Sequence, residues 1–250
     1  MENLNNISLN FILSTGRTGS TLLCTMLNMH PEALSISEEP FAYNLYPKYK
    51  DVVNWTDKTI EEFCFDFYLF SEGKLPIQFG TKQDLVDLLT KHKEGLTGEK
   101  AIKLAYFAFF PKKDKSKVRM IVDKELKFHY FLNEVDSFYP TAKYIVLSRD
   151  PRDNVVVKIN KAIKQARPYN LYFLAKMWDY QYNMLLAKTS KLDAKKVLHI
   201  SYENLMTDPE STLKKVCLFL GLSFDEDMLK YDEKIKSDMD ADLTENEKKH

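Results

Sequence analysis

The segment Leu13 to Leu23, LSTGRTGSTLL, constrains the fold more than any other part of the chain. Before it lies a short apolar run, Asn10 to Ser14 (NFILS). After it, Leu22, Leu23, Met26 and Leu27 recur at helical spacing within Ser20 to Met29. Strand, glycine turn and helix in that order put the turn at the carboxyl end of a strand and the start of a helix. Gly16 and Gly19 allow tight backbone turns, and N–H groups at such a helix start point at one spot, which favours an anion. Ser20 and Thr21 add hydroxyl donors, and Arg17 adds a planar fork able to grip two oxygens. The nucleotide loop G-x-x-x-x-G-K-[ST] carries a lysine directly before its hydroxyl residue. Here Ser20 follows Gly19 directly, and the basic residue stands two positions before Gly19.

The remaining pattern alternates strands with helices. Val118 to Val122, Lys143 to Leu147 and Val197 to Ile200 read as buried strands, and a short second strand is expected before Glu38. Helices are expected over Leu126 to Phe138, after Pro151, over Tyr169 to Lys191, and over Pro209 to Leu220, ending at Gly221. Continuous apolar strands between helices indicate an α/β fold of three layers, a central parallel sheet with helices on both faces. Lys112 to Lys117 reads as a surface loop. Pro40 to Leu75 is dense in aromatics without a clear period, and fits a cap over the site or core equally well.

The chain has 250 residues, 44% of them hydrophobic, which suits one α/β domain over residues 1–250. Formal net charge is zero, so nucleic acid is not an expected partner. Charge is uneven along the chain: Lys143 to Arg167 holds seven Lys/Arg and two Asp, and an acidic tail from about 224 holds ten Asp/Glu and five Lys. Cys24, Cys64 and Cys217 are far apart and odd in number, which fits reduced thiols in a cytoplasmic protein. The five histidines are scattered, so no metal site is expected. The N-terminus lacks the pattern of a signal peptide, and no apolar run approaches the roughly 18 residues a membrane span needs.

Two further constellations bear on chemistry. In LSRDPRDNVVVKINK, Arg149 lies just past a strand end, and Arg152, Lys158 and Lys161 follow in the next helix. Two strand ends with anion grips suit one ligand with two separated anionic groups. In HPEALSISEEPF, Glu38 and Glu39 return towards the carboxyl edge of the sheet. A carboxylate there can accept a proton from a nucleophile, but surface glutamates are common, and the residues alone leave both readings open.

Together these motifs resemble the sulfotransferases that use 3′-phosphoadenosine 5′-phosphosulfate (PAPS). Gly16 to Thr21 follows the family's phosphosulfate loop P-[KR]-S-G-[ST]-T, and VLSRDPRD resembles its 3′-phosphate motif. VLHISYENLMTDPESTLKKVCLFLGL resembles its late strand and helix, and Trp178 matches a tryptophan common upstream of that block. The resemblance covers residues 9 to 222 and is nearest to the branch of tyrosylprotein, trehalose and polyketide-type sulfotransferases. It implies PAPS as co-substrate, adenosine 3′,5′-bisphosphate as product and no metal. Arg17, Thr18, Gly19, Ser20 and Thr21 then hold the phosphosulfate, Arg17 also assisting transfer. Arg149 and Lys161 hold the 3′-phosphate, and Tyr202 contacts the nucleotide. Glu38, 21 residues after Arg17, takes the place of the branch's glutamate base, with Glu39 as the fallback. The chain departs from the family at Val157, eight residues after Arg149, where a serine is usual. The C-terminal RKG motif of the cytosolic branch is also missing.

The rival enzyme reading is an ATP-dependent P-loop kinase, which the missing loop lysine disfavours. The rival from another class is a nucleotide-binding protein without catalysis, which Val157 favours and the pair Arg17 and Glu38 disfavours. The acceptor is a hydroxyl compound, small or polymer-borne. Its pocket is expected to draw on the aromatic segment from Phe41 to Phe79.

Overall fold

The structure, a computed structural model, describes residues 4–37, 41–70, 82–108, 113–124, 126 and 130–231. Strand β1 (Ser8–Ser14) leads through the glycine loop to α1 (Ser20–Met29) and β2 (Ala33–Ser37). A π-helical turn (Phe41–Leu45) then opens a helical stretch of α2 (Tyr46–Tyr49), α3 (Asp57–Phe70), α4 (Lys82–Lys91) and α5 (Gly98–Ala108). It is followed by β3 (Met120–Lys124), α6 (Leu132–Phe138), β4 (Tyr144–Ser148), α7 (Pro151–Lys164) and α8 (Leu171–Thr189). The order closes with β5 (Val197–Ser201), α9 (Tyr202–Thr207) and α10 (Pro209–Leu220).

The five strands form one sheet in the order β2-β3-β1-β4-β5, and every pairing is parallel. Alternation along β1 sends Phe11 and Leu13 into one apolar cluster and Ile12 into another. The first cluster draws on α3, α4, α5 and α6, the second on α1, α9 and α10. The sheet is thus sandwiched between two helical layers, as the apolar strands require. Chain leaving β1 turns to the β3–β2 side, whereas chain leaving β4 turns to β5. The crevice between the carboxyl ends of β1 and β4 is therefore the topological switch point, where open α/β sheets bind ligands.

The sequence reading needs three adjustments. The helix expected from Leu126 begins at Leu132, and the long aromatic helix runs Leu171–Thr189, capped by the Asn170 side chain on the Phe173 N–H at 2.9 Å. Part of the aromatic segment is core: one face of it is buried, while Val53, Phe65 and Leu69 stand exposed. Phe41, Phe63 and Phe67 are fully buried, and Phe41 stacks on Phe67 at 4.3 Å between centroids. The expected loop near Lys112 includes Lys113, whose Nζ donates to the carbonyls of Asn28 and His30 at 2.7 and 2.8 Å. That contact places a cation at the C-terminus of α1, where the helix dipole favours it.

Candidate functional site

The glycine loop is held in unusual backbone conformations. Gly16, Arg17 and Gly19 have φ of 77°, 59° and 82°. For a non-glycine residue such as Arg17 this costs on the order of 1–3 kcal/mol, and it persists only where the surroundings impose it. Asn154, fully buried on α7, donates from Nδ2 to the Gly16 carbonyl at 2.8 Å. Arg149 donates from Nη1 to the Arg17 carbonyl at 3.4 Å, a long bond. Elements from β4 onward therefore clamp a loop that follows β1.

Gly19 is required for a second reason besides its left-handed φ. A Cβ there would lie 2.3 Å from Cδ2 of Tyr202. The Tyr202 ring also carries the Arg149 guanidinium 4.2 Å from its centroid. Tyr202 thus contacts both the loop and the arginine of the second motif. The ends of β4 and β5 are tied as well, since the Asp150 N–H donates to Glu203 Oε1 at 2.9 Å.

These residues surround a cleft of about 250 Å³. Of the residues singled out from sequence, Arg17, Gly19, Ser20, Thr21, Arg149 and Tyr202 line it, as does Val157. Thr18 belongs to the loop, but its side chain is buried away from the cleft. Lys161 is exposed on α7 and is not part of the lining. Arg152 is turned to Asp150, donating from Nε and Nη2 at 3.0 and 2.6 Å. That side-chain hydrogen bond holds the Asp150 carboxyl down at about 2, so the pair stays ionised. Burial pushes the half-buried Lys158 ammonium down. Glu38 and Glu39 lie outside the described residues.

Sequence reasoning missed two residues. Lys124, almost fully buried at the end of β3, lines the cleft opposite the loop. Its signal was available: it is the last residue of a strand, where ligand-binding side chains emerge. Asn154 had no signal, because nothing local distinguishes it from a solvent-facing helix residue.

The electrostatics favour an anion. Arg17, Lys124 and Arg149 bring three cationic side chains to one cleft. The first turn of α1 has no side-chain cap, so its N–H groups remain available towards the cleft. Arg149 Nε is buried without a hydrogen-bond partner, a donor with unmet capacity in a cleft wall. Thiol chemistry has no place here: Cys24, Cys64 and Cys217 are buried, and burial pushes the first two up to about 12 and the third to about 11. Among the described residues, no group of three or more His, Cys, Asp or Glu is placed to hold a metal ion.

Comparison with known proteins agrees with this geometry. The sulfotransferase domain from the curacin biosynthetic pathway is 22% identical, with a TM-score of 0.59, covering 90% of this chain and 77% of that one. The sulfotransferase domain from the Synechococcus PCC 7002 olefin synthase is 26% identical, with a TM-score of 0.55, covering 90% and 78%. No curated protein sequence matches. The Sulfotransferase family profile matches residues 10–226, which includes the glycine loop, Lys124, Arg149 and Tyr202. With a five-stranded parallel sheet and a cationic cleft at its switch point, the chain belongs to the sulfotransferase family.

Proposed function

We propose that the protein transfers a sulfuryl group from PAPS to an acceptor hydroxyl. The observation that carries this reading is the convergence of Arg17, Lys124 and Arg149 on a cleft closed by the uncapped start of α1. A bound PAPS supplies the sulfuryl group and a phosphate leaving group. The residues present fit such a ligand. The loop N–H groups, Ser20 and Thr21 suit the phosphosulfate, and Arg149, with its unmet Nε, suits the second anionic group. Tyr202 offers a ring beside both. One unbroken profile match over 10–226 supports a single sulfotransferase domain. Three unpaired thiols support a cytoplasmic setting.

By analogy with phosphoryl transfer, the chain's own task is to position groups and stabilise spread negative charge. Arg17 and the start of α1 stabilise charge where it grows on the departing oxygen. Lys124 faces the same cleft from β3 and neutralises charge on the group in transit. Glu38 accepts the acceptor's proton. Strand register supports this role: Ser37, the last residue of β2, pairs with Lys124 of the cleft wall.

A second reading, nucleotide binding without transfer, rests on Val157, which lines the cleft but offers no hydrogen bond. Two measurements separate the readings. Adenosine 3′,5′-bisphosphate raises the melting temperature well above any effect of ATP with magnesium, and the reverse order installs a kinase. Turnover of labelled PAPS with pooled acceptors then shows transfer, and Arg17→Ala removes about 10²–10³ of it. Binding with no turnover on any acceptor leaves the second reading standing.

A further inference from the structure

The α7–α8 hairpin ends in an exposed apolar tip, flanked from Asn154 to Trp178 by cationic side chains alone, and we propose that this tip docks on an anionic lipid bilayer. Every residue from Ile163 through Phe173 is exposed. Five of them are large and apolar: Ile163 (56% exposed), Tyr169 (52%), Leu171 (61%), Tyr172 (72%) and Phe173 (59%). Single exposed apolar residues are ordinary, but a contiguous group marks an interaction surface.

The tip is built rather than loose. α7 ends with the Arg167 N–H donating to the Ala162 carbonyl at 2.9 Å around Ala166, whose φ is 48°. This is the six-to-one hydrogen bond of a helix terminator. α8 then begins at Leu171 under the Asn170 cap. Two ordered helix ends therefore hold the apolar residues out in solvent.

The charge pattern selects the partner. Asn154 through Trp178 contains Lys158, Lys161, Lys164, Arg167 and Lys176 and no Asp or Glu. Lys176 lies with its Nζ 5.9 Å from the Tyr172 ring centroid, so cation and aromatic share one patch. Two such tips facing each other in a symmetric dimer would set like charges against each other across the contact. The apolar residues come from α7, the turn and α8, and all of them are exposed. Exposed Tyr, Phe and Leu beside Lys and Arg suit a fluid interface, where rings enter the headgroup layer and cations meet acidic lipids. Each such cation strengthens binding about fivefold near an anionic surface. Seven residues of α7, roughly 10 Å of rise, separate Val157 in the cleft wall from Lys164 at the tip. Docking would hold the cleft beside the bilayer. The inference does not depend on which group the cleft transfers.

The test is co-sedimentation of the full chain with vesicles, without nucleotide. Vesicles of equimolar phosphatidylcholine and phosphatidylglycerol should bind it at least tenfold more tightly than phosphatidylcholine alone. Raising salt from about 0.1 M to 1 M should release it, because the screening length falls from about 10 Å to 3 Å. Tyr172→Ser with Phe173→Ser, and Lys164→Glu with Arg167→Glu, should each weaken binding about tenfold or more. Both should keep the wild-type melting temperature, since these side chains are exposed. Leu218→Ser, at an exposed apolar residue on α10, should change nothing. Equal binding to both vesicle types, no binding, or binding untouched by the paired variants overturns the proposal. So does a concentration-dependent dimer abolished by the same variants, which would assign the tip to a second copy. Binding to polyglutamate but not to vesicles would assign it to an acidic protein.

Discussion

Replacing Gly19 with alanine isolates the contact between the loop and Tyr202, because the chain contains its own control. Gly19 and Gly221 have nearly the same φ, 82° and 86°. A Cβ at Gly221 meets nothing within 4 Å, whereas one at Gly19 falls 2.3 Å from Tyr202 Cδ2. Gly221→Ala should therefore cost only the left-handed conformation, about 1–2 kcal/mol. Gly19→Ala should cost that and the displacement of a packed ring, a further 1–3 kcal/mol or so. At about 2–4 °C per kcal/mol for a chain of this size, the excess is roughly 2–12 °C in melting temperature. Thermal and denaturant unfolding without ligand measure it. The excess should vanish in a Tyr202→Ala background, where the ring is gone. Equal costs at the two glycines would show that the ring does not press on the loop. An excess surviving in the Tyr202→Ala background would locate the collision elsewhere. Because Arg149 rests on the same ring, Gly19→Ala should also weaken adenosine 3′,5′-bisphosphate, and Gly221→Ala should not.

Glu38→Gln should slow transfer by roughly 10²–10⁴ while bisphosphate affinity stays near normal, and Glu39→Gln should do much less; steady-state rates with the opposite order would move the base to Glu39. Val157→Ser should tighten the bisphosphate by less than about 1.5 kcal/mol in titration calorimetry and leave adenosine 5′-phosphate unchanged. Lys161→Ala should weaken the bisphosphate selectively, and equal weakening of both ligands would detach Lys161 from the 3′-phosphate. Asn154→Leu keeps the volume but strands the Gly16 carbonyl, so denaturant unfolding should show a loss of about 1–3 kcal/mol. A loss indistinguishable from zero would mean that the loop holds its conformation without that clamp.

Much of the site was legible because its signals are local. Glycine spacing and helical period located β1, the loop and α1, and with them Arg17, Ser20 and Thr21 in the cleft wall. Arg149 was legible as a residue just past a strand end, and Tyr202 through the family resemblance of the stretch from Val197 to Leu222. Lys124 was overlooked because its place depends on register: it pairs with Ile12 of β1 and Ser37 of β2, 112 and 87 positions away in the chain. Asn154 was hidden for the same reason, since its partner Gly16 lies 138 residues earlier. Helices α3 to α5 were illegible for a different one. In α3, Phe63 and Phe67 are buried while Phe65 and Leu69 are exposed, so apolar residues on opposite faces blur the period. In α8 the aromatics Tyr172 and Phe173 of the first turn stand largely in solvent.

The placement of β1 at the centre of the sheet has a consequence for the chain as it is made. Ser8 pairs with Met120 on one side, and Phe11 pairs with Tyr144 on the other. Neither neighbour exists when β1 leaves the ribosome. At about 5–20 residues per second, the 112 residues from Ser8 to Met120 take roughly 6–22 seconds to synthesise. Throughout that interval a strand with Phe11, Ile12 and Leu13 fully buried in the finished protein has no partner on either edge. Parallel pairings this distant fold slowly and expose sticky surface while they wait. Holding chaperones should therefore engage the nascent chain chiefly through its first strand, and release it only once β3 has emerged to cover one edge.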